Sequence, residues 1–318
     1  SHRHPGAAPV TAQDEALVAL LAALKARGYR FITPTNDTHR LVSWRLLQGS
    51  RHTLRDIFGW SRPFRDGDVE PEILALMREA GILAQKGLRL SSTLRVASLG
   101  DDLFLHSAYP PRAKDSVFFG PDSYRFADFI RAELGHANRV VDIGAGAGVG
   151  GIVASRVCPQ AAIVLADINP QALRLARINA AAAVVSAEVM ESDGLATVTG
   201  PIDVAIANPP YLLGSGGRAY RDGGDLLGAR VSLDWARAAL ARLSAGGRLL
   251  LYTGSAIVEG HDRLKAELES LAAGQGAALR YREIDPDVFG AMLLHPAYRR
   301  VDRIAAVGAV LEKAAAPA

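Results

Sequence analysis

The stretch Arg139-Val140-Val141-Asp142-Ile143-Gly144-Ala145-Gly146-Ala147-Gly148-Val149-Gly150 constrains the fold of this chain more than any other segment. A short apolar run enters a turn in which every second residue is glycine, and the chain then continues into a pattern that suits a helix. The glycines admit positive φ and let the backbone approach a ligand closely, and a helix start beyond them offers free N–H groups. Strand, glycine turn and helix in that order open an alternating α/β sheet. Taken alone, the turn suits a nicotinamide, flavin or nucleoside cofactor, or plain packing.

Spacing narrows these choices. A second apolar run, Ala162 to Ala166, ends in Asp167-Ile168-Asn169-Pro170, which puts Asp167 19 residues beyond Gly148. An acidic residue at that place, at the end of a second strand, can grip ribose hydroxyls, and the same carboxylate can serve the start of a helix opened by Pro170. A third run, Asp203 to Ala207, leads into Asn208-Pro209-Pro210-Tyr211. There the Asn208 amide oxygen can accept from one N–H of a flat NH2-bearing group. The Pro209 carbonyl can accept from the other N–H, and the Tyr211 ring can stack on the group's π face. Outside this context the tetrapeptide reads as a turn.

The ordered set Asp142-x-Gly144-x-Gly146-x-Gly148, then Asp167-x-Asn169-Pro170, then Asn208-Pro209-Pro210-Tyr211 resembles the class I S-adenosylmethionine-dependent methyltransferases, within them the amino-methylating group. The resemblance covers residues 109–310 and implies a Rossmann-like α/β domain with a seven-stranded, mostly parallel sheet. It implies S-adenosyl-L-methionine as cofactor, with Asp142, Gly144 and Gly146 along its methionine half, Asp167 on its ribose, Asp193 at the adenine, and Asn208 as a further cofactor contact. Asp193-Gly194 also reads as a plain turn. Asn208, Pro209 and Tyr211 are the implied catalytic set. A further stretch, Phe118-Phe119-Gly120-Pro121-Asp122-Ser123-Tyr124, resembles the Pro-Arg-Pro-Asp-Thr-Glu segment of the release-factor glutamine-amide methyltransferases, with Gly120 for the Arg and Tyr124 for the Glu. That implies packing over the methionine end of the cofactor; locally, Asp122 or Ser123 reads as the N-cap of a helix through Leu134.

The first hundred residues form a different pattern. Helical spacing covers Glu15–Ala26, Thr38–Leu47, Thr53–Trp60 and Pro71–Ala80, and short alternating runs follow at 88–90, 94–97 and 103–105. Helices followed by a hairpin predict a winged-helix-like substrate-docking domain over residues 1–108, with Tyr109 to Arg112 as linker to a catalytic domain over 109–318. The release-factor family carries an all-helical N-terminal domain instead, so this is a departure. Charge is uneven, with 16 basic against 12 acidic residues over 1–115 inside a net charge of +3. Between Lys25 and Arg65 nine basic residues face only Asp37 and Asp56, a stretch that can touch phosphates or stand as a solvated surface.

In the second half, helices are expected near 149–157, 170–182, 226–243 and 260–272, and strands at 248–253, 279–284 and 303–310, the last of them antiparallel. The glycine-rich loop between Leu212 and Gly228 should rim the acceptor pocket, with Pro210, Tyr211, Arg218, Tyr220 and Arg221 as candidate substrate contacts. The single cysteine, Cys158, excludes an intramolecular disulfide and reads as core in a reducing compartment. The eight histidines show no metal-ligand spacing, so no metal is expected, and His106, His261 and His295 read as surface or packing residues. No apolar run spans a membrane, which suits a cytoplasmic protein. Three functions fit: a methyltransferase of a protein glutamine amide, an exocyclic-amine methyltransferase of adenine in RNA or DNA, and a binding protein that keeps the fold without catalysis.

Overall fold

The computed structural model describes residues 11–46, 52–213 and 226–318. Five strands, β5 (Arg139–Ile143), β6 (Ala162–Asp167), β7 (Ala187–Glu191), β8 (Ile202–Ala207) and β9 (Leu243–Val258), run parallel. With β11 (Ala277–Asp285) and β12 (Val301–Lys313) they form one sheet in the order β11-β12-β9-β8-β5-β6-β7, and the two-residue β10 (His261–Asp262) turns back along β9. As expected, the last strand is antiparallel to its neighbours.

The strands read as continuous apolar runs because both faces are covered. Alternate residues serve different cores. Val140, Ile163, Leu165, Val204 and Ile206 pack with helices α5 (Pro121–Glu133), α6 (Val149–Val157) and α7 (Pro170–Ala182). Val141, Ile143, Val164, Ala166, Ala205 and Ala207 pack with α8 (Arg230–Arg242) and α9 (Arg263–Gly274) on the opposite face. Among the described residues no helix is long and apolar enough to cross a membrane.

The N-terminal region contains α1 (Ala12–Ala26), α2 (Asn36–Leu46), α3 (Leu54–Phe58) and α4 (Pro71–Ala80), then the hairpins β1 (Leu83–Lys86)–β2 (Arg89–Ser92) and β3 (Leu94–Leu99)–β4 (Asp102–Ser107). It shares the core that lies under α5 to α7. Polar ties reinforce the junction. Asn179 on α7 accepts from Leu105 N at 2.8 Å and donates to Leu105 O at 3.1 Å and Ala147 O at 2.8 Å. Arg174 pairs with Asp14, and Arg156 pairs with Asp102. The Tyr124 hydroxyl, between Thr33 N and Ser98 O, crosses the same boundary.

Helix α5 starts differently from the sequence expectation. Its N-cap is Gly120, Pro121 takes the first turn, and the Ser123 hydroxyl reaches back to accept from Gly120 N at 3.2 Å. Neither Asp122 nor Ser123 is the cap, and Asp122 is released to turn into the core. Cys158 is buried, its thiol donating to Ala137 O.

Candidate active site

The chain leaves β5, builds the sheet outward through β6 and β7, and returns as β8 on the other side of β5. This is a topological switch point, where open α/β sheets hold ligands at their strands' C-terminal ends. A cavity of about 680 Å³ opens there. It is lined by Asp142, Gly144 and Gly146 after β5, Asp167 at the end of β6, Asp193 after β7, and Asn208, Pro209, Pro210 and Tyr211 after β8. Every candidate among the described residues thus meets in one cavity. Arg218, Tyr220 and Arg221, with most of the loop that carries them, lie outside the described residues.

Each side chain has a definite job in the backbone around it. Asp142, buried, accepts from Gly151 N at the start of α6 at 2.9 Å. Burial pushes its carboxyl up to about 8, against that hydrogen bond, with the Asp167 charge adding to the rise. Asp167 accepts from Gly146 N at 2.8 Å with one oxygen and from Asn169 N at 2.9 Å with the other. It therefore closes the glycine turn while facing the cavity. Burial raises its carboxyl as well, opposed by those donors. Asn169, the N-cap of α7, accepts from Gln171 N. The exposed Ile168 gives the cavity an apolar patch beside Asp167. Asp193 is exposed at the cavity edge.

Gly144 has φ of +69°, and a Cβ there would lie 2.4 Å from the indole of Trp235 on α8. Trp235 also approaches Gly194 and lines the cavity. It thus braces two ligand-facing turns at once. Its place on a helix some 90 residues after Gly144 carried no local signal of this.

The segment after β8 departs most from expectation. Asn208 is half-buried, faces the cavity, and its amide has no hydrogen-bond partner among the described residues. That leaves it available to a ligand. Tyr211, expected to offer an open ring for stacking, is only 6% exposed. Its ring lies against Gly254 on β9, where a Cβ would come within 2.1 Å, and its hydroxyl donates to Asp122 Oδ2 at 2.7 Å. The Tyr252 hydroxyl donates to the other Asp122 oxygen. Burial raises the Asp122 carboxyl, against those two hydroxyls and Arg125, and burial holds the Tyr211 phenol well above its ordinary range. Phe289 meets Tyr211 edge-on at 5.8 Å. It adopts φ of 54°, uncommon for a bulky residue, and lines the cavity from the segment between β11 and β12. Tyr252, Trp235 and Phe289 were all missed by sequence reasoning.

The far wall comes from the N-terminal region: Asn36 and Asp37 at the start of α2, Arg95 on β3, and Tyr109. Buried His39 stacks on Tyr109 at 3.9 Å. Its Nε2 lies 3.1 Å from Trp60 O, and its Nδ1 faces Arg95 Nη1 at 3.4 Å. A guanidinium only donates, so Nδ1 accepts and Nε2 carries the proton. Burial and the Arg95 charge lower its pKa to about 4, keeping it neutral. Among the described residues no group of three His, Cys, Asp or Glu side chains is placed to hold a metal ion. His106 is buried against Phe119, while His261 and His295 are exposed.

Comparison with known proteins places this geometry. Residues 125–272 match the Methyltransferase small domain family. A 74-residue stretch is 39% identical to a release factor glutamine methyltransferase of Deinococcus radiodurans, covering 23% of this chain and 27% of that protein. A 76-residue stretch is 42% identical to a ribosomal RNA small subunit methyltransferase C of Hahella chejuensis, covering 24% of this chain and 22% of that protein. The chain thus spans about a quarter of the length of these curated relatives. Among solved structures, a T. thermophilus 16S rRNA N2 methyltransferase in complex with AdoMet and guanosine aligns with a TM-score of 0.46 and 17% identity, over 76% of this chain and 61% of that one. The glycine turn after β5 and strands β5 to β8 all fall within the stretch, residues 125–272, that matches the Methyltransferase small domain family.

Proposed function

We propose that this protein transfers a methyl group from S-adenosylmethionine to the nitrogen of a planar NH2 group. One observation carries the reading: the Asn208 amide, without a hydrogen-bond partner among the described residues, stands on the same cavity as Asp142, Asp167 and the glycine turn. The residues fit the cofactor. Gly144 and Gly146, both at positive φ, bring bare backbone to the cavity for the methionine half. Asp167, Ile168 and Asp193 line the same cavity; Asp167 would hold the ribose hydroxyls, and Ile168 and Asp193 would flank the adenine. The cofactor supplies an electrophilic methyl on a sulfonium.

The chain's own work is positioning and charge. The nitrogen lone pair of an amide or aryl amine is delocalised and weakly nucleophilic. Asn208 accepting one N–H and the Pro209 carbonyl accepting the other would hold that lone pair in line with the methyl carbon, about 3–3.5 Å away. The same acceptors favour the positive charge that develops on nitrogen. No strong base is required, because the proton can leave after transfer.

A protein glutamine amide is our leading acceptor, supported by the Gly120–Ser123 stretch beside Tyr211. A second reading, a base amine in RNA, has its own support. Helix α2 starts at the cavity with Asn36 and Asp37 and carries the exposed Arg40, Leu41 and Arg45, with Trp44 72% exposed. An exposed aromatic among arginines suits stacking on bases beside phosphates. Incubation with radiolabelled S-adenosylmethionine and a cell extract separates the two. Label released by protease supports glutamine, and label released by nuclease supports the base. Absence of both labelling and cofactor binding would overturn the methyltransferase reading itself.

A further inference from the structure

We propose that Asp122 is a positioning residue for methyl transfer, holding the acceptor segment 208–212 in its working conformation through the Tyr211 hydroxyl. The inference rests on the function proposed above and gives Asp122, which the Gly120–Ser123 resemblance sets only near the methionine end of the cofactor, a role in holding the acceptor segment. Four observations converge. Asp122 is nine-tenths buried or more, and each of its carboxylate oxygens accepts from a tyrosine, Tyr211 on the acceptor segment and Tyr252 on β9. The Tyr211 ring cannot retreat, because Gly254 lies directly behind it with no space for even a methyl group. Arg125, one turn along α5, sits 3.6 Å from Asp122 and 2.9 Å from Asp285. Asp285 ends β11 and begins the segment that delivers Phe289 to the cavity and to the edge of Tyr211. One carboxylate therefore joins three walls of the cavity: the start of α5, the acceptor segment after β8, and the segment after β11.

The geometry accounts for the buried tyrosine. A ring pinned by its hydroxyl fixes the backbone that carries it, and with it the neighbouring Pro209 carbonyl and Asn208 amide. In-line transfer is sensitive to such placement, since an error of about 1 Å can cost on the order of 100-fold in rate. A role in stability alone would also place Asp122 between two tyrosines, and the test separates the two roles.

Asp122→Asn, Tyr211→Phe, Tyr252→Phe and the double variant Asp122→Asn/Tyr211→Phe are made in the full chain. Amide exchange at Asn208, Tyr211 and Leu212, S-adenosylmethionine affinity, thermal midpoint and label transfer to a cell extract are then read for each. Asp122→Asn and Tyr211→Phe should each speed exchange at those three amides and slow transfer by about 10- to 100-fold, with cofactor affinity unchanged. The double variant should be no slower than either single one, because both remove the same tie. Tyr252→Phe, which leaves the Asp122–Tyr211 bond in place, should have a smaller effect. A lowered thermal midpoint with unchanged exchange at the acceptor amides would overturn the proposal in favour of a stability role. Wild-type transfer by Tyr211→Phe would overturn it too. If the wild-type protein binds no cofactor, the methyltransferase reading falls, whereas the exchange measurement still decides whether Asp122 holds the segment.

Discussion

Asn208 and Asp142 stand at the ends of adjacent strands and answer to opposite physical demands. Asn208 keeps its amide open to the cavity, where water can satisfy it until a ligand takes its place. Asn208→Ala should therefore leave the fold and the cofactor affinity in place and lower turnover by about 100-fold or more, the scale seen for removal of one preorganised polar group. Isothermal titration with S-adenosylmethionine, run beside the label-transfer assay, checks both halves, and turnover near the wild-type rate would remove Asn208 from the mechanism. Asp142 is instead buried at the base of that cavity beside the start of α6, and its titration is written into stability. Its carboxyl rises from the ordinary carboxylate range to about 8 on folding, so between about pH 4 and 8 the folded state holds a proton that the unfolded chain has released. Its effect on stability is neutral below that window, grows more unfavourable as pH rises through it, and levels off above pH 8. Asp142→Asn abolishes that slope. Urea midpoints measured across the window should show the variant gaining on the wild type from pH 4 to 8 and holding a constant difference above it. Parallel curves would show that Asp142 does not titrate in this range.

The elements show which parts of this site could be read from sequence and which could not. Apolar runs such as Val140-Val141 and Ile163-Val164-Leu165 mark doubly covered strands directly, and Gly144, Asp167 and Asn208 stand at the ends of such runs, so the strand ends that line the cavity were legible. The strands at the other end were seen but underestimated. β9 and β12 reach 16 and 13 residues; residues 248–258 of β9 pair with β12 along nearly all of β12, Leu243 pairs with Ile202 on β8, and these tertiary pairings extend each strand beyond its own pattern. The α8 start was misjudged for a related reason: Gly228, at φ of +92°, packs on the Tyr211 backbone, and the helix begins two residues later at Arg230. The contact between Asp122 and Tyr211 spans 89 positions and joins two different elements, so no local pattern announces it. Gly254 expresses the same geometry from the side of β9. Gly254→Ala would drive a methyl into the Tyr211 ring, and the ring must turn away from Asp122 to admit it. Turnover should fall as in Tyr211→Phe while cofactor affinity stays, because Gly254 lies away from the glycine turn. A crystal structure of the variant with the Tyr211–Asp122 bond intact would refute this account.

At the scale of the whole molecule, the N-terminal region is a wall of the cavity as well as a neighbour of the sheet. Helix α1 packs on α7, β4 packs on α7, and the buried strands β3 and β4 lie in the core shared with α5 to α7. A chain assembled from residues 1–108 and 109–318 as independent units would need two faces able to meet water, and these faces are apolar. Asn179 is the polar pin of that junction. With neighbouring elements packed around it, it satisfies the N–H and the carbonyl of Leu105 and the carbonyl of Ala147, which reaches the turn after β5. Asn179→Ala leaves three buried backbone groups without that partner, at a cost of about 1–3 kcal/mol for each group that water cannot reach. The wild-type protein should unfold in one transition, with the fluorescence of Trp60 in the N-terminal region and of Trp235 on α8 changing together. Asn179→Ala should lower that midpoint and, if the junction is what couples the two regions, separate the two signals. Coincident and unshifted transitions in the variant would mean that the packing of α1 and β4 on α7, with the Asp14–Arg174 and Asp102–Arg156 pairs and the Tyr124 hydroxyl, joins the N-terminal region to the sheet without need of Asn179.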